Sequence, residues 1–179
     1  MDLAEHCLED LATQLRKMRA LAEGAVAQLS DDELFRRIDR ESNSIAVVMR
    51  HVAGNLKSRF TDFLTSDGEK PDRHRDGEFE IPSGTTRETV VADWDLGFSR
   101  LEGALAALSP ADLMREIFIR GERMTVLAAL HRSLAHTSMH VGQIVLLAKH
   151  LRGPNWRTLS IPRGQSEGAS RLQPDALHR

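Results

Sequence analysis

Four stretches of this 179-residue chain repeat apolar residues at three- and four-residue intervals, and between the second and third the period disappears. That pattern limits the fold more than any single motif, because each helical stripe of apolar residues needs another element to bury it. The first stretch, 2–28, sets Leu3, Leu8, Leu11, Leu15, Met18, Leu21 and Ala22 at helical spacing. Ser30 and Glu33 then form a capping-box pattern for a short turn. The second helix is expected over roughly 44–65, opened by Asn43 or Ser44 and stopped before Gly68. From Ser66 to Thr85, Gly68, Pro71, Gly77, Pro82 and Gly84 interleave with charges, which predicts a crossover or a lid. Thr85 and Glu88 repeat the capping pattern and open a third helix to about Leu108. Ser109 with Pro110 marks another helical start, and "REIFIRGERMTV" reads as a short hairpin or an irregular connection. Thr125 caps a fourth helix to about Leu151, which Gly153 and Pro154 end. The expectation is an all-α four-helix bundle with a long crossover loop between helices 2 and 3, one domain over 1–167. Trp156, Leu159 and Ile161 are expected to pack back on it, and 168–179 to form a flexible tail.

Composition narrows the function classes. Hydrophobic residues make up 41% and charged residues 28%, as in an ordinary soluble globular chain. A net charge of -2, six Phe, two Trp and no Tyr leave neither a basic footprint nor a stacking surface for nucleic acid. No apolar run approaches the roughly 20 residues that span a bilayer, so no membrane partner is expected. The opening "MDLAEHCLEDLATQL" is acidic and charge-interrupted, unlike a signal peptide, and a cytoplasmic location is expected. Cys7 is the single cysteine, which excludes an internal disulfide framework and a cysteine-based zinc site; it reads as an inert helix residue.

Chemistry concentrates in "HRSLAHTSMHVGQIVLLAKH". Each helical residue turns the side-chain direction by about 100°, so His136 and His140 share a face at the edge of the apolar arc, while His131 and His150 point to polar sides. Two imidazoles on consecutive turns can share a metal ion, and they can equally be surface or core histidines. A zincin needs Glu directly after the first histidine, and Thr137 stands there instead. On the second helix His51 also borders the apolar arc, with Asn55 one turn on. If both faces meet one core, three neutral imidazoles converge and leave a coordination position open for water or substrate.

The stretches "NSIAVVMRHVAGNLKSRFTDFLTSDGEKPDRHRDGEFE", "HTSMHVGQIVLLAKH" and "WRTLSIPRGQS" together resemble the DinB-like superfamily of helical bundles, which includes the bacillithiol S-transferase group, and within it an uncharacterised bacterial branch. The resemblance spans most of 1–167. It implies a four-helix bundle, often homodimeric, with a divalent metal on His51, His136 and His140. Zn²⁺ or Ni²⁺ is the first expectation, with Fe²⁺, Co²⁺ and Mn²⁺ also accommodated by such donors. It implies as well a thiol-dependent transfer to a small electrophile, against the alternatives of metal-assisted hydrolysis or a non-catalytic metal- or small-molecule-binding module.

Around the histidines, Asn55 is expected to orient a ligand or close a core hydrogen bond, and Gln143 to support a metal ligand or lie exposed. Arg59 falls inside the apolar arc of its helix and needs a carboxylate; Asp93, Asp95 and Glu102 are candidates, and an anion clamp beside the metal is the functional reading. In the crossover, Glu78 or Glu80 can serve as a general base if the segment folds over the site, whereas His74 reads as solvated. Arg163, beside Gly164, is a candidate pocket lining.

Overall fold

The computed structural model describes residues 2–166; the expected tail, 168–179, lies outside them. Helix α1 (Leu3–Val26) opens on an Asp2–Glu5 capping box, and the short α2 (Asp31–Phe35) on the Ser30–Glu33 box read from the sequence. In each, the cap side chain accepts a backbone N–H of the first turn while the glutamate accepts the cap's own N–H, leaving fewer orphan donors.

Helix α3 (Ile45–Phe60) starts at Ser44 and buries most of its circumference, from Ile45 through Val52 and Leu56 to Phe60. A helix apolar on nearly all sides has to be central, and α3 packs against both α4 and α5. It ends five residues short of the expected 65. Thr61 is extended, its hydroxyl donates to the Lys57 carbonyl, and Asp62 takes a positive φ of 48°. The Asp62 carbonyl then accepts the N–H groups of Thr65 and Ser66. Short polar side chains offer the backbone these local bonds in place of another helical turn.

The crossover is ordered by its hydrogen bonds. The Gly68 N–H donates to the Phe118 carbonyl, and the Gly68 carbonyl accepts from Ser58 Oγ and Arg59. A 3-10 turn, Asp76–Phe79, lies against α3. Helix α4 (Arg87–Ala107) follows, one residue later than the sequence suggested: Thr86 and Thr89 cap it, not Thr85 and Glu88. Each threonine hydroxyl oxygen accepts the other residue's backbone N–H, so the pair serves both halves of the box. Val90, Trp94, Phe98 and Leu101 form its buried stripe, and Gly97 brings it close to α3, since a Cβ there would sit 2.9 Å from the Ala53 Cα.

After a 3-10 turn at Pro110–Met114, β1 (Glu116–Ile119) and β2 (Glu122–Thr125) pair antiparallel in the register Glu116 with Thr125 and Ile119 with Glu122. Arg120 and Gly121 both have positive φ, 58° and 73°, as a two-residue hairpin of the primed kind needs. Asp67 accepts both of their N–H groups at 2.8 Å and ties the hairpin to the crossover. Helix α5 (Val126–Arg152) begins at the Thr125 cap and stops at Gly153, whose φ is 51°. Thus α1, α3, α4 and α5 share one core and the hairpin is the only sheet among the described residues. Trp156 and Leu159 pack back on that core, and Gln28 clasps the Arg157 backbone, whereas Ile161 stays exposed. No helix among the described residues is long and apolar enough to cross a membrane.

Candidate metal centre

The packing of α3 against α5 brings His51, His136 and His140 together, with one ring nitrogen of each inside a mutual separation of 4.8 Å. His131 and His150, from the same histidine-rich stretch, are exposed on other faces of α5. Ring centroids within the trio lie 4.5–5.2 Å apart, all edge-on. The Nε2 atoms of His51 and His136 approach to 3.2 Å. Two imidazoles sharing a tetrahedral ion with metal–nitrogen bonds of about 2.0–2.1 Å hold their nitrogens about 3.3–3.4 Å apart. The donor set and this spacing fit a divalent ion.

Outer hydrogen bonds fix which nitrogens face inward. His51 Nδ1 donates to Glu78 Oε2 at 2.8 Å, leaving Nε2 as a lone pair. His140 Nδ1 likewise donates to Gln143 Oε1 at 2.8 Å, across one turn of α5. A histidine that gives its outer proton to a carboxylate or amide has its ring orientation and tautomer set for metal binding. His136 differs, because its buried Nδ1 has no hydrogen-bond partner. Burial, then the charges of His140, His51, Arg73 and Arg59, pushes the His136 imidazolium pKa down to about 3. Burial lowers His140 as well, against the opposing effect of the hydrogen bond it donates to Gln143. Both rings therefore stay neutral near pH 7, the form that donates a lone pair.

Glu78 comes from the crossover turn and is nearly buried. Arg73 holds it from behind at 2.8 and 2.9 Å. Burial raises the Glu78 carboxyl, but the hydrogen bonds from His51 and Arg73 outweigh it and hold the group below the ordinary range. Its approach needs Gly54, because a Cβ there would lie 2.7 Å from the Glu78 carboxyl carbon. The base role read for Glu78 does not match this geometry: both oxygens are engaged, and the residue orients His51. Glu80 is exposed; its carbonyl accepts from Arg50.

Arg59 is buried, as its position on the apolar arc required, but its partner is Glu69 at 2.7 Å. Asp95 and Glu102, named as candidates with Asp93, pair instead with Arg19 of α1. The crossover doubles back under α3, and no helical pattern signals that return. Asn55 and Arg59 both line a cavity of about 170 Å³ that opens beside His51 and His136. Arg73, Arg75, Arg120 and Arg132 also line it; sequence reasoning missed all four because the crossover, the hairpin turn and a helix contribute them. His74 is exposed and accepts the Gly77 N–H, and Arg163 is exposed and absent from the cavity wall. Cys7 is half-buried against the core.

Neither the curated proteins nor the solved structures yield a match to the chain. A family model described as "Protein of unknown function (DUF1572)" matches residues 2–165, and by that near-complete match the chain belongs to the DUF1572 family.

Proposed function

We propose that this protein is a DinB-like four-helix-bundle metalloprotein holding one divalent ion, Zn²⁺ or Ni²⁺ first, on His51, His136 and His140. The observation that carries the reading is convergence with preparation: three imidazoles from two helices meet, and two are already polarised from behind by Glu78 and Gln143. An ion bound there supplies Lewis acidity that lowers the pKa of a thiol or water at its remaining position.

The chain's own groups favour thiol transfer over hydrolysis. The cavity wall carries arginines, Asn55, Ser133 and apolar groups, and no free carboxylate. A thiol is acidic enough to reach the thiolate without a strong base beside it, whereas water attack gains from one. Phe60, Phe63 and Ile119 give the cavity buried apolar lining. The same lack of a free acid or base supports the second reading, a non-catalytic metal-binding module. A homodimer is proposed as the working form, in line with the resemblance to DinB-like bundles, and sedimentation at micromolar concentration tests it.

The direct test is metal analysis of protein purified without a His tag or added metal, comparing wild type with His136→Ala. Near-stoichiometric metal in the wild type alone, with a Zn²⁺- or Ni²⁺-dependent rise in Tm, is expected. No metal in either, and no Tm shift on addition, overturns the site. A screen of low-molecular-weight thiols with electrophilic acceptors then separates transferase from binding module.

A further inference from the structure

The wall of the cavity beside the histidines carries five arginines and no carboxylate. The arginines are Arg59, Arg73, Arg75, Arg120 and Arg132, and two carboxylates, Glu69 and Glu78, hold the buried ones. Arg59 and Arg73 form a fixed floor, with side chains 8% and 5% exposed and both tied to those carboxylates. The other three stand half-exposed at the walls. Arg120 shares Glu69 at 3.1 Å. Arg75 and Arg132 each have a single carboxylate, Asp76 and Glu122, 3.9 Å away and itself well exposed. Arginine forks are built for paired oxygens, and a concave site of one sign concentrates its field.

A second observation is independent of charge. The Ser133 hydroxyl lies on this wall, one turn before His136, in a residue 6% exposed, and it has no hydrogen-bond partner. A buried hydroxyl without a partner is a desolvation cost that a ligand oxygen recovers. The chain as a whole is slightly acidic, at -2, so this basicity is local. At about 170 Å³ the space is below the roughly 300 Å³ where ordinary ligand pockets begin. It accommodates an oxyanion and a few attached carbons, not a nucleotide or a nucleic-acid strand.

We infer that this cavity is an oxyanion pocket, and that the molecule it holds beside His51 and His136 is a small organic acid or phosphate ester anchored by Arg132, Arg120 and Arg75 with Ser133. The placement next to a metal rests on the function proposed above; the anion recognition does not. Calorimetry with succinate, inorganic phosphate and uncharged succinamide tests it, on protein as purified and after EDTA treatment. Succinate or phosphate is expected to bind in both states, and succinamide to bind at least about tenfold more weakly. The preferred anion distinguishes carboxylate from phosphate chemistry. The double variant Arg120→Gln with Arg132→Gln is expected to lose about tenfold or more in affinity while taking up metal like the wild type. Arg123→Gln removes a cation from the same hairpin outside the cavity and is expected to change nothing. Equal binding of succinamide, unchanged affinity in the double variant, an equal loss in Arg123→Gln, or no anion binding up to about 10 mM overturns the inference. Metal binding without anion binding defeats this pocket alone, and the reverse defeats the metal site alone.

Discussion

Two arginine-centred networks in this protein use the same residue types to opposite ends. On the α1–α4 face, Arg19 meets three carboxylates, Glu23, Asp95 and Glu102, at 2.7–3.0 Å, all of them about half-exposed. Its guanidinium also stacks over Phe98. At the α3–crossover face, the buried Arg59 and Arg73 share Glu69, and Arg73 also holds the buried Glu78, with three further arginines around the adjoining cavity. The first network has more anions than cations and a solvated surface, so nothing is left to bind. The second has arginines and no carboxylate on the wall of the hollow beside it, and two of the three histidines at its edge. Burial and charge imbalance, not the number of ion pairs, separate a supporting surface from a site.

Glu78→Ala breaks the comparison hardest. It leaves Arg73 with only its longer contacts to Glu69 and the His51 Nδ1 donor with no acceptor in a buried setting, and a loss of about 3 kcal/mol in urea unfolding is expected. Metal affinity should fall about 10–100-fold, read by chelator competition, because His51 loses its orienting acceptor. If Glu78→Ala costs no more than a surface change, the buried network is not distinct from the Arg19 one.

On the opposite face packing should matter more than charge. Gly97→Ala places a methyl 2.9 Å from the Ala53 Cα, and a loss of about 1–3 kcal/mol is expected from the same unfolding measurement. An unchanged midpoint would mean that the α3–α4 seam yields.

The networks should also respond differently to acid. The depressed values of His136 and His140 mean that the folded, metal-free chain keeps both rings neutral while the unfolded chain protonates them below about pH 6.5. The unfolded state then binds more protons, so stability falls as pH drops from about 6.5 toward 3, where His136 itself titrates. Urea midpoints of metal-free protein should decline between pH 7.5 and 5, and His136→Gln should flatten that slope. The smallest effect belongs to Arg19→Gln, below about 1 kcal/mol and reduced further by salt, since its partners are solvated. A larger loss would give the Arg19 network a role its exposure does not suggest.

Much of this was legible along the chain. Local signals act over three or four residues, and there the reading is close: the Ser30–Glu33 box, the Thr125 cap, the Gly153 stop and the division of the histidines by helical direction all depend on neighbours in sequence. His51 could be paired with His136 and His140 because helical angles place each on an inward edge. The end of α3 and the start of α4 were misplaced by five residues and one, where short polar side chains compete for backbone bonds that periodicity does not register.

By itself, then, the sequence determined the helices, their apolar faces and the three imidazoles that could meet, because each follows from periodicity along a rigid rod. Only the tertiary structure decided that Glu78 orients His51, that Arg59 takes Glu69 and leaves Asp95 and Glu102 to Arg19, and that four more arginines surround the cavity. Glu69, Glu78, Arg73, Arg75 and Arg120 come from the crossover and the hairpin turn. Their positions are set by long-range hydrogen bonds such as Asp67 to the Arg120 and Gly121 backbone, which no local period encodes.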